Sequence, residues 1–269
     1  MRFLAALPAL ALAACVPGAA GVQPATLAVR YPPGDQQAYH LHEVFTGALT
    51  NAAGQVQPVT FDLRAAESTR VTAVDPDGTA TLEVELTGVT GTSNGQALPP
   101  LGTQTDQVRV ATDGRVLGGG AGGGGSTTTV PSADQWFAIL PDRKVAPGAT
   151  WTRDFERANP FGPGSLKVHS ASQLLRYEQA GGVRTAVVQS QLGTPVDVDL
   201  AQAPAGGAVA HEKGSVSADV TSWLDPAAAR IVKTSARTRF DLAVNVASST
   251  GTATYTLTGS QTVDLERTG

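Results

Sequence analysis

Four histidines and a single cysteine are the side chains of this chain best suited to ligate a metal or attack a substrate. His40 and His42 lie two apart in a stretch of strand character, so both imidazoles would face one side, as a two-histidine metal site on a sheet requires. Such pairs also occur on plain solvated strand faces, and a metal would need a third ligand from His169, His211 or a carboxylate. Gly91-Thr92-Ser93-Asn94-Gly95 has the G-x-S-x-G spacing of a hydrolase nucleophile turn, with His169 and His211 downstream. That chemistry needs a buried parallel strand before the serine and a helix after it. Here Asn94-Gly95 leads into Gln96-Ala97-Leu98-Pro99-Pro100, and the motif reads as a turn. Asp75-Pro76-Asp77-Gly78 opens like a calcium loop but lacks the later acidic positions and the closing glutamate, so it reads as a hairpin turn. The run Gly118 to Gly125 meets G-x-G-x-x-G by composition alone, with no Lys-Ser/Thr behind it to hold a phosphate. No set of nucleophile, base and orienting group emerges, and the expectation is a protein without catalytic activity and without a cofactor.

The aromatic residues offer a different chemistry. Trp136, Trp151 and Trp223, with Phe137, Phe155 and Phe161, hold much of the aromatic content in the second half of the chain. They either pack a core or line an apolar cavity; on the second alternative Trp136, Phe137, Trp151 and Trp223 are the ligand-contacting candidates.

The elements that must position these residues are strands. Ala80, Leu82, Val84 and Leu86 alternate with polar residues from Thr79 to Thr87, and the same period of two runs through Phe61 to Ala65, Phe240 to Val246 and Ala253 to Leu257. Turn signals fall between such runs at Asp75 to Gly78, Asp113-Gly114, Ala180-Gly181-Gly182 and Asp225-Pro226. The predicted fold is all-β, with antiparallel strands in a curved half-barrel or a sandwich. One short helix is expected near 132–140, where Ser132 and Gln135 form a capping box and Pro141 ends the segment. Residues 26–117 and 131–269 read as two β halves separated by a Gly-rich linker over 118–130. The stretch from Thr194 to Gly214 reads as a loop, although Val196 to Leu200 could pair as a strand. Each half starts on Pro-Gly before a strand, Pro33-Gly34 and Pro147-Gly148, and each ends on a turn followed by Arg and an aliphatic residue, Arg115-Val116 and Arg230-Ile231. The pattern fits a duplication, and equally the self-similarity of any antiparallel chain.

Composition excludes some partners. Against 19 Lys and Arg stand 23 Asp and Glu, a formal net charge of −4, and no basic cluster marks a nucleic-acid surface. One cysteine forms no internal disulfide.

The amino terminus reads as an address. Arg2 precedes an apolar run from Phe3 to Leu12, half the length of a membrane span, and then Ala13-Ala14-Cys15. Leu12-Ala13-Ala14-Cys15 resembles the lipobox of bacterial lipoproteins. The resemblance implies removal of residues 1–14, lipidation of Cys15 and a flexible tether over 15–25. It also implies a cell-envelope location on the extracytoplasmic side, with the outer membrane favoured because Val16, not Asp, follows the cysteine. Two or three acyl chains anchor a protein almost permanently. The body loosely resembles β-rich bacterial lipoproteins that start a strand on Gly-x-x-Trp/Tyr, here Gly148-Ala149-Thr150-Trp151, and more remotely the half-barrel carriers of lipids and lipoproteins. These resemblances imply a non-catalytic binder or carrier of a hydrophobic ligand, or else a structural or protein-interaction module of the envelope. Neither transfers a site residue.

Overall fold

The computed structural model of the protein describes residues 23–120, 137–159, 164–200, 209–248 and 251–268. The signal segment 1–14, Cys15, most of the tether, Trp136, Phe161 and the greater part of the Gly-rich linker lie outside the described residues.

Twelve strands follow one another: β1 Gln36–Thr50, β2 Val56–Val74, β3 Ala80–Ser93, β4 Gln96–Ala97, β5 Gln104–Val110, β6 Val116–Gly120, β7 Thr150–Ala158, β8 Ser165–Ala180, β9 Val183–Asp199, β10 Val209–Asp225, β11 Arg230–Ser248 and β12 Gly251–Arg267. All pair antiparallel in one sheet of order β6-β5-β3-β2-β1-β12-β11-β10-β9-β8-β7, with β4 attached to β3. The all-β, antiparallel, curved expectation holds. The sheet nearly closes on itself, because β6 and β7 at the ends of the path come side by side without a ladder between them. That seam is bridged by side chains: the Arg115 guanidinium lies 5.9 Å from the centre of the Phe155 ring, and Arg153 reaches Asp113 at 3.9 Å.

Alternation sets the inside. Along β1, Gln37, Tyr39, Leu41, Glu43 and Phe45 are buried while the residues between them face out. Apolar side chains from every long strand meet within the wall, among them Leu82, Val110, Leu174, Val188, Leu224 and Leu265. One end is capped by the chain before β1. Leu27, Val29 and Tyr31 are buried there, Val29 N donates to Thr112 O and Arg30 N to Ala229 O.

The described part of the predicted helix is not helical. Phe137 to Leu140 is neither helix nor strand and is buried inside the wall. Its N–H groups go to the barrel instead of to each other: Ala138 N donates to Ser222 Oγ at 3.0 Å, Ile139 N to Ser190 Oγ at 2.9 Å and Leu140 N to Asp113 O at 2.8 Å. Tertiary donors and acceptors outcompete the local cap. Two further boundaries move. Gly118 to Gly120 belong to β6, and the segment read as a loop from Thr194 contributes the end of β9 and the start of β10, paired through Val198↔Glu212 and Val196↔Gly214.

The two halves share a plan in detail. Gly34 N bonds Val71 O and Val71 N bonds Asp35 O; Gly148 N bonds Leu174 O and Leu174 N bonds Ala149 O. A register shift follows each receiving residue, between Val71 and Ala73 and between Leu174 and Arg176. Another lies at Arg109/Val110 and at Trp223/Leu224, and Val110 pairs Ala80 and Val116 as Leu224 pairs Ala186 and Ile231. β1-β2-β3-β5-β6 thus matches β7-β8-β9-β10-β11. β1 and β11 are joined only through β12, so a single sheet runs across both halves.

Candidate apolar trough

The wall is not of even height. β1, β2, β11 and β12 carry their ladders on to Thr50, Val56, Ser248 and Gly251, whereas β5 pairs only with Ala80 to Leu86 of β3 and β6 has five residues. These four strands, with β10 beside β11 as far as Val209↔Ala247, therefore project past the main packed core on the side opposite the seam.

The inward positions of that projection are largely apolar, with Gln57 opposite Leu49 and Gln261 opposite Phe45 as polar members. They carry Phe45 and Leu49 on β1, Val59, Phe61 and Leu63 on β2, Leu242, Val244 and Val246 on β11, and Tyr255 and Leu257 on β12. The outward positions carry Thr46, Thr60, Thr254, Thr256 and Thr258 on β1, β2 and β12, and Asp241, Ala243 and Asn245 on β11. Phe45 stacks on Phe61 with ring centres 5.1 Å apart and tilts against Phe240 at 6.2 Å. Gly47 and Gly259 oppose each other directly beside this group; a Cβ on Gly47 would stand 2.5 Å from Thr258 O and 2.8 Å from the Phe45 ring. The glycine pair is thus what lets the Phe45 ring lie flat on the sheet. Phe61, Phe240, Val244 and Leu257 are half-buried, and Leu49 and Tyr255 are 36% and 38% exposed. An uncovered apolar sheet face is uncommon on a folded chain and marks a surface that meets something apolar.

Polar groups border this trough. Glu43 is fully buried; its Oε1 accepts from Gln261 Nε2, and its Oε2 has no hydrogen-bond partner. Burial lifts its carboxyl to about 7 against the pull of the Gln261 hydrogen bond. Glu212 on β10, between Val198 and Val244 on its neighbouring strands, is 7% exposed, and burial raises it too. Deeper in the core Glu67 sits opposite Tyr39 and Leu86 with neither oxygen partnered, and burial pushes it up to about 8.

The residues singled out in the sequence are not brought together. Phe137 and Trp151 are in the closed core, where the Trp151 indole donates to Ile139 O at 3.0 Å. Trp223 alternates with the buried Ser222 and Leu224; its indole donates to Glu178, and Lys233 lies 5.4 Å from the ring centre. The described positions do not form one cavity, because Trp223 faces outward from the wall while Phe137 and Trp151 are buried inside it. The trough uses Phe45, Phe61, Phe240 and Leu257 instead.

The histidines lie on the outer face. His40 and His42 do share one side and, with Arg64, Lys233, Asp264 and Glu266, border a groove of about 440 Å³. His42 Nε2 meets Asp62 Oδ1 at 3.1 Å, and Arg64 meets the same oxygen at 3.3 Å. His169 bonds Asp154 at 2.6 Å, and His211 lies between Asp199 and Asp197 at 3.0 and 2.8 Å, which raises it. Among the described residues no group of three or more His, Cys, Asp or Glu stands where it could hold a metal ion. Ser93 and Asn94-Gly95 form the β3–β4 hairpin, with Asn94 and Gly95 at φ 49° and 77°; Asp75 to Gly78 forms the β2–β3 turn. No helix among the described residues is long and apolar enough to cross a membrane. Neither a family model nor a curated protein matches the chain.

Proposed function

We propose that this is a lipid-anchored protein of the cell envelope that binds an apolar ligand along its open inner wall. The observation that carries the reading is the apolar alternation that continues on β2, β1, β12 and β11 beyond the main core and leaves Leu49, Phe61, Val244 and Tyr255 partly or well exposed there. Phe240 and Leu257 pack in part on a second buried cluster of Leu166, Val196, Val198 and Leu242, but that packing leaves Leu49 and Tyr255 36% and 38% exposed beside them. A ligand covering them would remove a few hundred Å² of apolar surface from water, which corresponds to roughly 5 kcal/mol before the costs of binding. Anchoring rests on the lipobox-like Leu12 to Cys15 and on the absence of any other cysteine to compete for modification. The extracytoplasmic location follows from that anchor, with the outer membrane favoured by Val16.

Two measurements test this. The purified protein should raise the fluorescence of the neutral apolar dye Nile red, and Phe61→Ser and Phe240→Ser should each weaken that binding by roughly tenfold while leaving the folded signal in circular dichroism intact. Unchanged dye binding in both variants would remove the trough from the account. Cys15→Ser should move the protein from the membrane fraction into the soluble one; continued sedimentation with membranes would remove the anchor.

A protein-interaction role is the second reading. It draws on the seam, where β6 and β7 face each other as unladdered edges able to accept an added strand.

A further inference from the structure

Charge is missing from one end of the sheet. Residues 44–61, 87–105 and 242–263 contain no Asp, Glu, Lys, Arg or His, in a chain of which 16% is charged. The first and third stretches supply the projecting parts of β1, β2, β11 and β12, and the second flanks β2 as far as Ser93↔Phe61. Both faces of this wall end are therefore neutral, with apolar side chains inward and residues such as Thr46, Ala48, Asn245 and Thr256 outward. Exposed strand ends of folded β-proteins are ordinarily guarded by charge, lysine above all. Here Val56, beside the β1–β2 turn, is 67% exposed without any such guard. Charge returns on β10, where His211, Glu212 and Lys213 pair with Asn245, Val244 and Ala243, and this marks the border of the neutral surface.

A lipid bilayer is the partner that suits such an end, because it penalises a charged side chain on a strand increasingly with depth. The depth here is shallow. Stretches 44–50 of β1 and 56–61 of β2 fall short of the roughly nine to eleven residues with which a strand crosses a membrane. The chain enters the fold at the opposite end, where Ala25 N donates to Val145 O and Val29 N to Thr112 O. An anchor on Cys15 thus holds the closed end and leaves the neutral end free.

We propose that the neutral end of the β2-β1-β12-β11 wall docks on the surface of a zwitterionic lipid bilayer, its two hairpins entering the head-group region, as a contact separate from the anchor. The docking goes beyond the ligand reading and does not depend on it; it brings the open end of the trough to an apolar phase.

Co-flotation with phosphatidylcholine vesicles tests it, using the Cys15→Ser protein freed of residues 1–14, so that neither the apolar leader nor a lipid carries it to the vesicles. The protein should float with them equally in about 0.05 and 0.5 M NaCl, because no ion pair is involved. Ala52→Glu and Val56→Glu put carboxylates on exposed positions of the β1–β2 hairpin and together should weaken flotation roughly tenfold, with circular dichroism unchanged. Ala228→Glu, the same charge on the exposed β10–β11 turn of the closed end, should leave flotation as it was. Flotation that is absent, that requires anionic lipid or low salt, or that survives both glutamates overturns the docking, as does self-association in place of vesicle binding. Nile red binding without flotation leaves the trough and removes the docking; flotation without Nile red binding does the reverse.

Discussion

Replacing Glu67 should make the protein more stable, and the gain should grow with pH. The side chain is 1% exposed, faces the closed core between Tyr39 and Leu86, and has no hydrogen-bond partner on either oxygen. Tyr39, the nearest hydroxyl by register, donates to Gln37 instead. Burial raises the folded-state carboxyl to about 8 from its ordinary value of 4.5. Folding therefore holds an extra proton between those two values, and stability from this group is fully present below about pH 4.5 and lost as pH rises toward and through 8. At 1.36 kcal/mol per pK unit, the loss is about 3 kcal/mol at pH 7 and about 5 kcal/mol above pH 8.5. Glu43, raised to about 7, adds a smaller loss of the same sign. In urea unfolding the native protein should weaken steadily from pH 5 to pH 9. Glu67→Gln should remove more than half of that slope, and Glu67→Met, which also removes the unpartnered oxygens, should raise stability at every pH in the range. A slope identical in native and Gln forms would mean that the carboxyl finds a partner in solution.

The period of two made the strands legible. Thr79 to Thr87, Phe61 to Ala65, Phe240 to Val246 and Ala253 to Leu257 all lie in β-strands, and the turns at Asp75 to Gly78 and Asp113-Gly114 close hairpins. Alternation also divided the faces correctly, so the apolar face that becomes the trough could be read on each strand alone. What could not be read was which strands would outreach the core. That depends on β1 pairing with β12, some two hundred residues away, and on β5 and β6 stopping short. The aromatic residues left core and cavity open for a related reason: residue type carries no information on facing, and Trp223 alternates out of the wall that Trp151 alternates into. The helix expected near 132–140 failed in its described part because Ser190 and Ser222, hydroxyls from distant strands, take the N–H groups that a helix would have kept.

Those serines also show where the two halves differ. Through the matched registers Ser190 and Ser222 occupy the places held in the first half by Val84 and Val108, both buried and apolar. The second half exchanges two aliphatic side chains for a row of hydroxyls, Ser172, Ser190, Ser222 and Thr234, of which two accept from the inserted segment and two support those acceptors at 2.7 and 2.9 Å. A buried hydroxyl row is costly unless every member is bonded, so the segment from Phe137 to Leu140 and the row require each other. The carbonyl of Ile139 is met from the seam strand by Trp151, which ties the insertion to β7.

Trp151→Ala should accordingly be among the most damaging single changes in the chain. It removes a side chain only 6% exposed, at about 3–5 kcal/mol, and strands the Ile139 carbonyl, at about 1–3 kcal/mol more. Where that variant does not fold, Trp151→Phe isolates the hydrogen bond, with an expected loss of about 2 kcal/mol in urea unfolding at pH 5.5. Ser190→Ala removes the acceptor of Ile139 N on the other side of the same peptide segment. If the segment is held as one unit, the double variant should lose less than the sum of the singles by about 0.5 kcal/mol or more, since once either hold is gone the other restrains a segment already loosened. Amide exchange at Ala138, Ile139 and Leu140 should accelerate together in each single variant, while the β1–β12 ladder keeps its protection. Additive losses with exchange confined to one amide would mean that the two contacts act separately and that the closed end is held by wall packing alone.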